Sequence, residues 1–158
     1  MIEIDHHPDI VAWSAMARIA VSRTMPIPQQ RVWEAVADLG SHPDWMRDAE
    51  SLAFIGDQRR GVGTRMRVKT MIGPLRTVDL MEVTGWVEGR WLEVAHQGLV
   101  TGHGRVSVEA ENGGTSVRWE EELVFPWWLG GVVTAWLARP LLAAVWRGNL
   151  RRLEETLT

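Results

Sequence analysis

Polar and apolar residues alternate from Ala17 to Met25, with Ile19, Val21, Arg23 and Met25 on one face and Arg18, Ala20, Ser22 and Thr24 on the other. This period of two predicts a first strand. Pro26 and Pro28 end it, and proline suits the first turn of a helix. Val32, Trp33, Val36, Ala37 and Leu39 then recur at helical spacing. They predict a helix over Gln29–Leu39 that Gly40 closes as a left-handed cap. Ser41, with Asp44 following, predicts an approximate capping box for a second short helix carrying Trp45 and Met46. After Arg47-Asp48 the period becomes that of strands and stays so. Strands are expected at Ser51–Gly56, Thr64–Ile72, within Leu75–Val87, and at Arg90–Val100, Gly102–Ala110 and Thr115–Phe125. Turn sequences separate them: Asp57–Gly63, Gly73-Pro74, Glu88-Gly89 and Asn112-Gly113-Gly114, the last a strong hairpin signal. Successive strands on short turns predict an antiparallel meander.

The stretch Pro126–Leu157 breaks this pattern. From Trp127 to Trp146 its one charge is Arg139, and beyond that Arg151, Arg152, Glu154 and Glu155 surround Leu150, Leu153 and Leu157. It reads as a long helix laid across a curved sheet. As a membrane span of ~20 residues it is just long enough. Yet Arg139-Pro140 stands in its middle, where an arginine costs roughly 2.5–3.5 kcal/mol, and a span leaves the preceding strands unexplained. Contact of Trp127-Trp128-Leu129 with a membrane surface or a partner stays open. Pro140 should remove a helix hydrogen bond and kink the helix, and Gly130-Gly131 should loosen its start. The sum is an α+β fold: a curved antiparallel sheet of six to seven strands wrapped round a long terminal helix, with two short helices after the first strand. A strongly curved sheet and one helix do not fill the space between them, so a cavity is expected.

Composition narrows the function. The 158 residues suffice for one domain with a sizeable core. A net charge of -3 gives no reason to expect nucleic acid. The absence of cysteine excludes disulfides, thiolate metal sites and cysteine nucleophiles. Without a basic and then apolar opening, no signal peptide is inferred and a cytoplasmic protein is expected. Residues 1–16 read as an extension to a single domain over 17–158; adjacent His6 and His7 cannot easily share a metal from regular structure. Ten tryptophans stand against two phenylalanines and no tyrosine, so large flat apolar surface here is indole. No GxSxG, GxxxxGK[ST], HExxH or GxGxxG motif occurs, which removes support for hydrolase, NTPase, zinc protease and dinucleotide readings. Gly61-Val-Gly63 and Gly102-His-Gly104 read as turn or strand-end glycines. No cofactor or metal is called for, and a monomer and a homodimer fit equally.

Several strings resemble those of the START-like or Bet v 1-like (SRPBCC) helix-grip superfamily, most closely its polyketide cyclase/dehydrase and lipid-transport branch. They are Ile19-Ala-Val-Ser-Arg-Thr-Met-Pro-Ile-Pro28, Arg31-Val-Trp-Glu-Ala-Val-Ala-Asp38, His42-Pro-Asp-Trp45, Gly61-Val-Gly-Thr64, Thr115-Ser-Val-Arg-Trp119 and Asn149-Leu-Arg-Arg-Leu153. Together they run from Ala17 to the C-terminus. The resemblance implies the helix-grip fold and a hydrophobic small-molecule ligand such as a sterol, lipid, polyketide or plant metabolite. It does not by itself imply an enzyme.

Period two places candidate residues on the inner face of this sheet. Met66, Val68 and Thr70 share one face of their strand, and Val94 and His96 share one of theirs. Val106 and Val108 do the same, as do Val117, Trp119, Glu121, Leu123 and Phe125. All but Val117 and Phe125 are candidates for touching a ligand, with Trp136, Leu137, Leu141 and Val145 from the helix, where Ala144 shares the spacing. Glu121 among apolar neighbours should have a raised pKa unless it is paired. It is then a candidate general acid or base, or a partner for a ligand hydroxyl. The alternatives are a bulge that turns it outward with Glu120 and Glu122, or an internal arginine partner. Inward-facing His96 can donate and accept, and reads equally as a satisfied core histidine if the register holds. Arg23 is a candidate counterion for Glu121 or reaches the sheet's rim. His103 falls on the solvent side, Trp33 and Trp45 read as plugs where the short helices meet the sheet, and Asp79 and Glu82 cannot be placed. Three readings follow: a carrier of a lipid-like or polycyclic molecule, a cyclase or aromatase using His96 and Glu121 on a substrate held by Trp119 and Trp136, and a membrane- or partner-binding protein.

Overall fold

The structure, a computed structural model, describes residues 15–158. The seven strands are β1 (Ala15–Met25), β2 (Ala49–Ile55), β3 (Arg65–Ile72), β4 (Leu75–Val87), β5 (Trp91–Gln97), β6 (Thr101–Glu111) and β7 (Gly114–Phe125). They form one antiparallel sheet in the order β1-β7-β6-β5-β4-β3-β2. Helices α1 (Gln29–Ala37) and α2 (His42–Trp45) follow β1, and α3 (Gly131–Leu157) ends the chain. This is the α+β architecture that the periodicities predict, and the helix-grip fold that the resemblance implies. The expected extension lies outside the described residues, except that Ala15 and Met16 already belong to β1.

Side-chain period sets the sheet's two faces. Along β1 buried and exposed residues alternate, with Ala17, Ile19, Val21 and Met25 inside. In β7, Val117, Trp119, Glu121, Leu123 and Phe125 are all buried. The two strands pair in continuous register from Ala15↔Phe125 to Met25↔Thr115. Asn112 and Gly113 turn the β6–β7 hairpin with φ of 42° and 80°, the two positive values that a tight hairpin matched to strand twist requires. Register shifts at Ala49/Ser51 and Val83/Gly85 interrupt two ladders, as bulges do where a sheet bends.

The connection after α1 differs from expectation. The helix stops at Ala37, and Leu39–Ser41 forms a 3₁₀ turn that leads directly into α2. Gly40 lies inside that turn and is not among the residues of positive φ, so it is no left-handed cap. The Ser41 hydroxyl donates back to the Asp38 carbonyl at 2.8 Å and makes no cap on α2. A short polar side chain satisfied by its own turn has nothing left for the next helix. Trp33 and Trp45 are buried at the junction, and the Trp33 indole donates to Glu88 at 2.7 Å.

The terminal helix also departs from expectation. Its amphipathic back half is the gripped part, with Leu142, Trp146, Asn149, Leu150 and Leu153 buried. Its apolar front is largely open: Trp127, Trp128, Val132, Val133 and Trp136 are exposed. The helix continues unbroken through Pro140. Gly130 and Gly131 both take positive φ, 94° and 48°, to turn the 3₁₀ segment Trp127–Leu129 into the helix. Buried Asn149 fixes the back half, donating to the Asp48 carboxylate at 2.6 Å and accepting from the Arg47 backbone N–H at 3.0 Å. Arg23 pairs with Glu154 of α3 and not with Glu121.

Candidate functional site

A cavity of about 490 Å³ lies between the inner face of β2–β7, α2 and α3. That is within the range of pockets that take small organic ligands. Most of its wall is apolar, from Met66 and Val68 on β3, Val94 on β5, Val106 on β6 and Leu123 on β7. Leu75, Leu137 and Leu141 line it and are also solvent-exposed, so they form its mouth. The back wall is indole. Trp119 and Trp146 stack with ring centroids 5.5 Å apart and planes at 21°, and Trp45 meets Trp119 edge-on at 6.2 Å.

Polar groups interrupt the apolar wall: His42 of α2, Asp48 after it, and two clusters on the sheet. On β3 and β4, Asp79 Oδ2 accepts hydrogen bonds from the Thr70 and Thr77 hydroxyls, each at 3.1 Å. On β5 and β7, Glu121 Oε1 accepts from the Trp119 indole N–H at 2.9 Å, while Glu121 Oε2 lies 3.2 Å from His96 Nε2. That approach is close enough for an ion pair but off the direction of a hydrogen bond. Both His96 Nε2 and Glu121 Oε2 are buried without an aligned partner among the described residues.

The sheet makes room for this pair. Gly104 stands directly across from Glu121, and a Cβ at that position would lie 2.6 Å from Oε2 and closer still to Oε1. With Gly102 and Gly104 on its inner side, β6 leaves a gap where the carboxylate folds over the strand. Gly98 does the same for Asp79, whose carboxyl carbon would sit 3.1 Å from a Cβ there.

Burial alone would lower the pKa of His96, but the close approach of Glu121 and the charges of Asp79 and Asp48 together raise it. Burial raises the pKa of Asp48, opposed by the hydrogen bond from Asn149. A histidine beside a carboxyl group, inside an apolar chamber, can bind a polar ligand atom or pass a proton to and from one.

The inner-face candidates Met66, Val68, Thr70, Val94, His96, Val106, Trp119, Glu121 and Leu123 all border the cavity, as do Leu137 and Leu141. Three others do not. Val108 is fully buried further along β6, where the Gln29 side chain bonds its carbonyl at 3.0 Å, and it packs as core. Trp136 is 69% exposed and, one residue before Leu137, points about 100° away from it around the helix. Val145, with Ala144, borders a separate small cleft beside Arg47. Asp79 faces inward and Glu82 outward, which settles the competing faces of β4. His103 is exposed, near Glu122. Sequence reasoning missed Trp146, Asp48 and Asn149. The signal for Trp146 was the four-residue step Leu142–Trp146–Leu150, which marks the gripped face more faithfully than the greasier Trp136–Leu141 stretch.

No described helix is long and apolar enough to cross a membrane, and no described group of histidines and carboxylates has metal-site geometry.

Comparisons with known proteins agree with this architecture. No curated protein matches the chain in sequence. Among solved structures, a protein from Thermus thermophilus is 21% identical and superposes with a TM-score of 0.77 over 89% of this chain and 96% of its own. A START superfamily protein from Mycobacterium smegmatis is 14% identical, with a TM-score of 0.74 over 89% and 96%. The Zhui aromatase/cyclase from a Streptomyces species is 15% identical, with a TM-score of 0.66 over 90% and 91%. At such identities these likenesses speak to fold alone. Residues 16–158, nearly the whole chain, match the family described as polyketide cyclase / dehydrase and lipid transport, and the chain therefore belongs to that family.

Proposed function

We propose that this protein binds a hydrophobic small molecule, lipid-like or polycyclic, in the cavity between sheet and α3. One observation carries this reading: an apolar chamber of about 490 Å³ bordered by His96 and Glu121, whose Nε2 and Oε2 are buried without aligned partners among the described residues. Buried polar groups are nearly always satisfied in folded proteins, and a ligand atom would satisfy both. Native mass spectrometry of the protein as purified tests it. The expected result is an added mass of a few hundred daltons that is lost on denaturation; failure to take up any apolar ligand offered would overturn the reading.

A second reading is a cyclase- or aromatase-type enzyme, favoured by a titratable pair inside the chamber. In it Glu121 and His96 move a proton at an enolisable substrate held against Trp119; Trp136, facing solvent, has no part. Removing the general base should then lower turnover by about 10²-fold or more. A carrier would instead tolerate His96→Ala with a modest loss of affinity.

The exposed start of the helix favours a third activity beside ligand binding, contact with an anionic membrane surface. Trp127, Trp128, Val132, Val133 and Trp136 are exposed together, and between Pro126 and Gly148 the charges are Arg139 and Arg147, with no acid. Exposed indole beside arginine suits the interface of an anionic bilayer.

A further inference from the structure

The charges around the cavity select among hydrophobic ligands, an inference that rests on the binding reading above. Three carboxylates border the chamber, Asp48, Asp79 and Glu121, and among the described residues no lysine or arginine does. Of the two bordering histidines, His42 is already held, with Nε2 2.8 Å from the Val36 carbonyl. Asp79 is satisfied by Thr70 and Thr77, and Asp48 by Asn149. What remains is one acceptor, Glu121 Oε2, and one ring nitrogen, His96 Nε2, 3.2 Å apart. The Glu121 side chain is 5% exposed.

We infer that the cavity recognises a hydroxyl group on an otherwise apolar ligand, an alcohol or phenol, and rejects a carboxylate. A hydroxyl donates one hydrogen bond and accepts others. It can therefore donate to Glu121 Oε2 while accepting from the His96 N–H, and complete both groups at once. An ether can accept but leaves Glu121 Oε2 unmet. A carboxylate accepts only, sheds its own hydration on entry, and meets three acidic side chains with no lysine or arginine among the described lining residues to offset them. Like charges in a poorly screened site repel strongly.

Competition against a neutral apolar dye tests this on the full-length protein. Nile red is bound, then displaced by dodecanol, by its methyl ether or by dodecanoate, in mildly alkaline buffer where dodecanoate is ionised. Dodecanol should compete at least about tenfold more tightly than either of the others, the worth of one hydrogen bond to a charged group. In Glu121→Leu that preference over the ether should disappear. Equal competition by the ether, tighter competition by dodecanoate, or a preference that survives in Glu121→Leu would overturn the inference and leave cavity binding standing. Should Glu121→Leu fail to fold, the wild-type series decides alone. If neither Nile red nor any of the three competitors binds, the binding reading falls as well.

Discussion

Gly104 and Glu121 face each other across adjacent strands, and the carboxylate of one occupies the space that a side chain on the other would need. Gly104 is not among the residues of positive φ, so its backbone accepts alanine. The obstacle is only the far end of a flexible side chain. Gly104→Ala should therefore fold, with stability changed by about 1 kcal/mol or less, while Glu121 is pushed off the Trp119 indole and His96. Gly102→Ala should behave differently. There the new Cβ would run into the Glu122 carbonyl, 2.9 Å from its carbon, at a φ of +146°. That clash is with backbone, and a loss of about 2 kcal/mol or more is expected. Urea denaturation and dye binding on the two variants separate a site defect from a fold defect.

His96 should make stability depend on pH above 6.5. Its folded pKa is raised, so the folded state holds the proton more tightly than the unfolded chain. The stabilisation is complete below 6.5 and is lost as pH rises through the folded value. The groups that face it are Glu121, Asp79 and Asp48. His42, whose pKa burial lowers, acts in the opposite sense, with stability lost as pH falls below 6.5. His96→Asn should remove the slope above 6.5 and leave the one below. Denaturant midpoints measured across this range read both limbs, and an unchanged upper slope in the variant would count against the assignment.

Glu88 should govern part of the acid limb. Hydrogen bonds from the Trp33 and Trp86 indoles, each at 2.7 Å, and from Arg60 hold its pKa down from 4.5 to about 2. The stabilisation is present above 4.5 and fades as pH falls towards 2. The carboxylate is more than half exposed, so screening limits the effect to about 1 kcal/mol. Glu88→Gln should show a flatter decline in thermal midpoint across that window than the parent protein.

Trp127→Ala and Trp136→Ala remove indoles that are about two-thirds exposed. Stability should change by no more than about 0.5 kcal/mol. Sedimentation with phosphatidylserine-containing vesicles should fall in each variant, and should weaken for the parent as salt rises. Parent protein that never sediments with such vesicles would end the membrane reading.

Much of this fold could be read from period alone. The faces of β1, β3 and β7 followed from strict alternation, and the Asn112-Gly113 hairpin from the backbone chemistry of two residues. His96 and Glu121 could be placed inward because both sit in phase with apolar neighbours. That shared phase already made them a plausible pair, and they lie 3.2 Å apart; the gap in β6 that seats the carboxylate could not be read, because only pairing partners reveal it. Hydrophobicity misled at the helix. The stretch richest in apolar residues, Trp127–Leu141, is mostly open, while the half studded with charges is gripped. Burial there follows which face meets the sheet, and Asn149, a polar residue, is fully buried because Asp48 and Arg47 need it.

The pairing of β1 with β7 also bears on how the chain comes to be folded. β1 and β2 are consecutive in sequence yet occupy opposite edges of the sheet, and Ala15 finds its partner only at Phe125. Contacts this remote in sequence form slowly, since a long loop must close before they reward it. During synthesis β1 has no strand to join until the last hairpin has left the ribosome, and the inner face of the meander stays uncovered until α3 arrives. Any chain cut before Gly114 therefore carries an unpaired, alternating apolar strand, the kind of edge that recruits another chain.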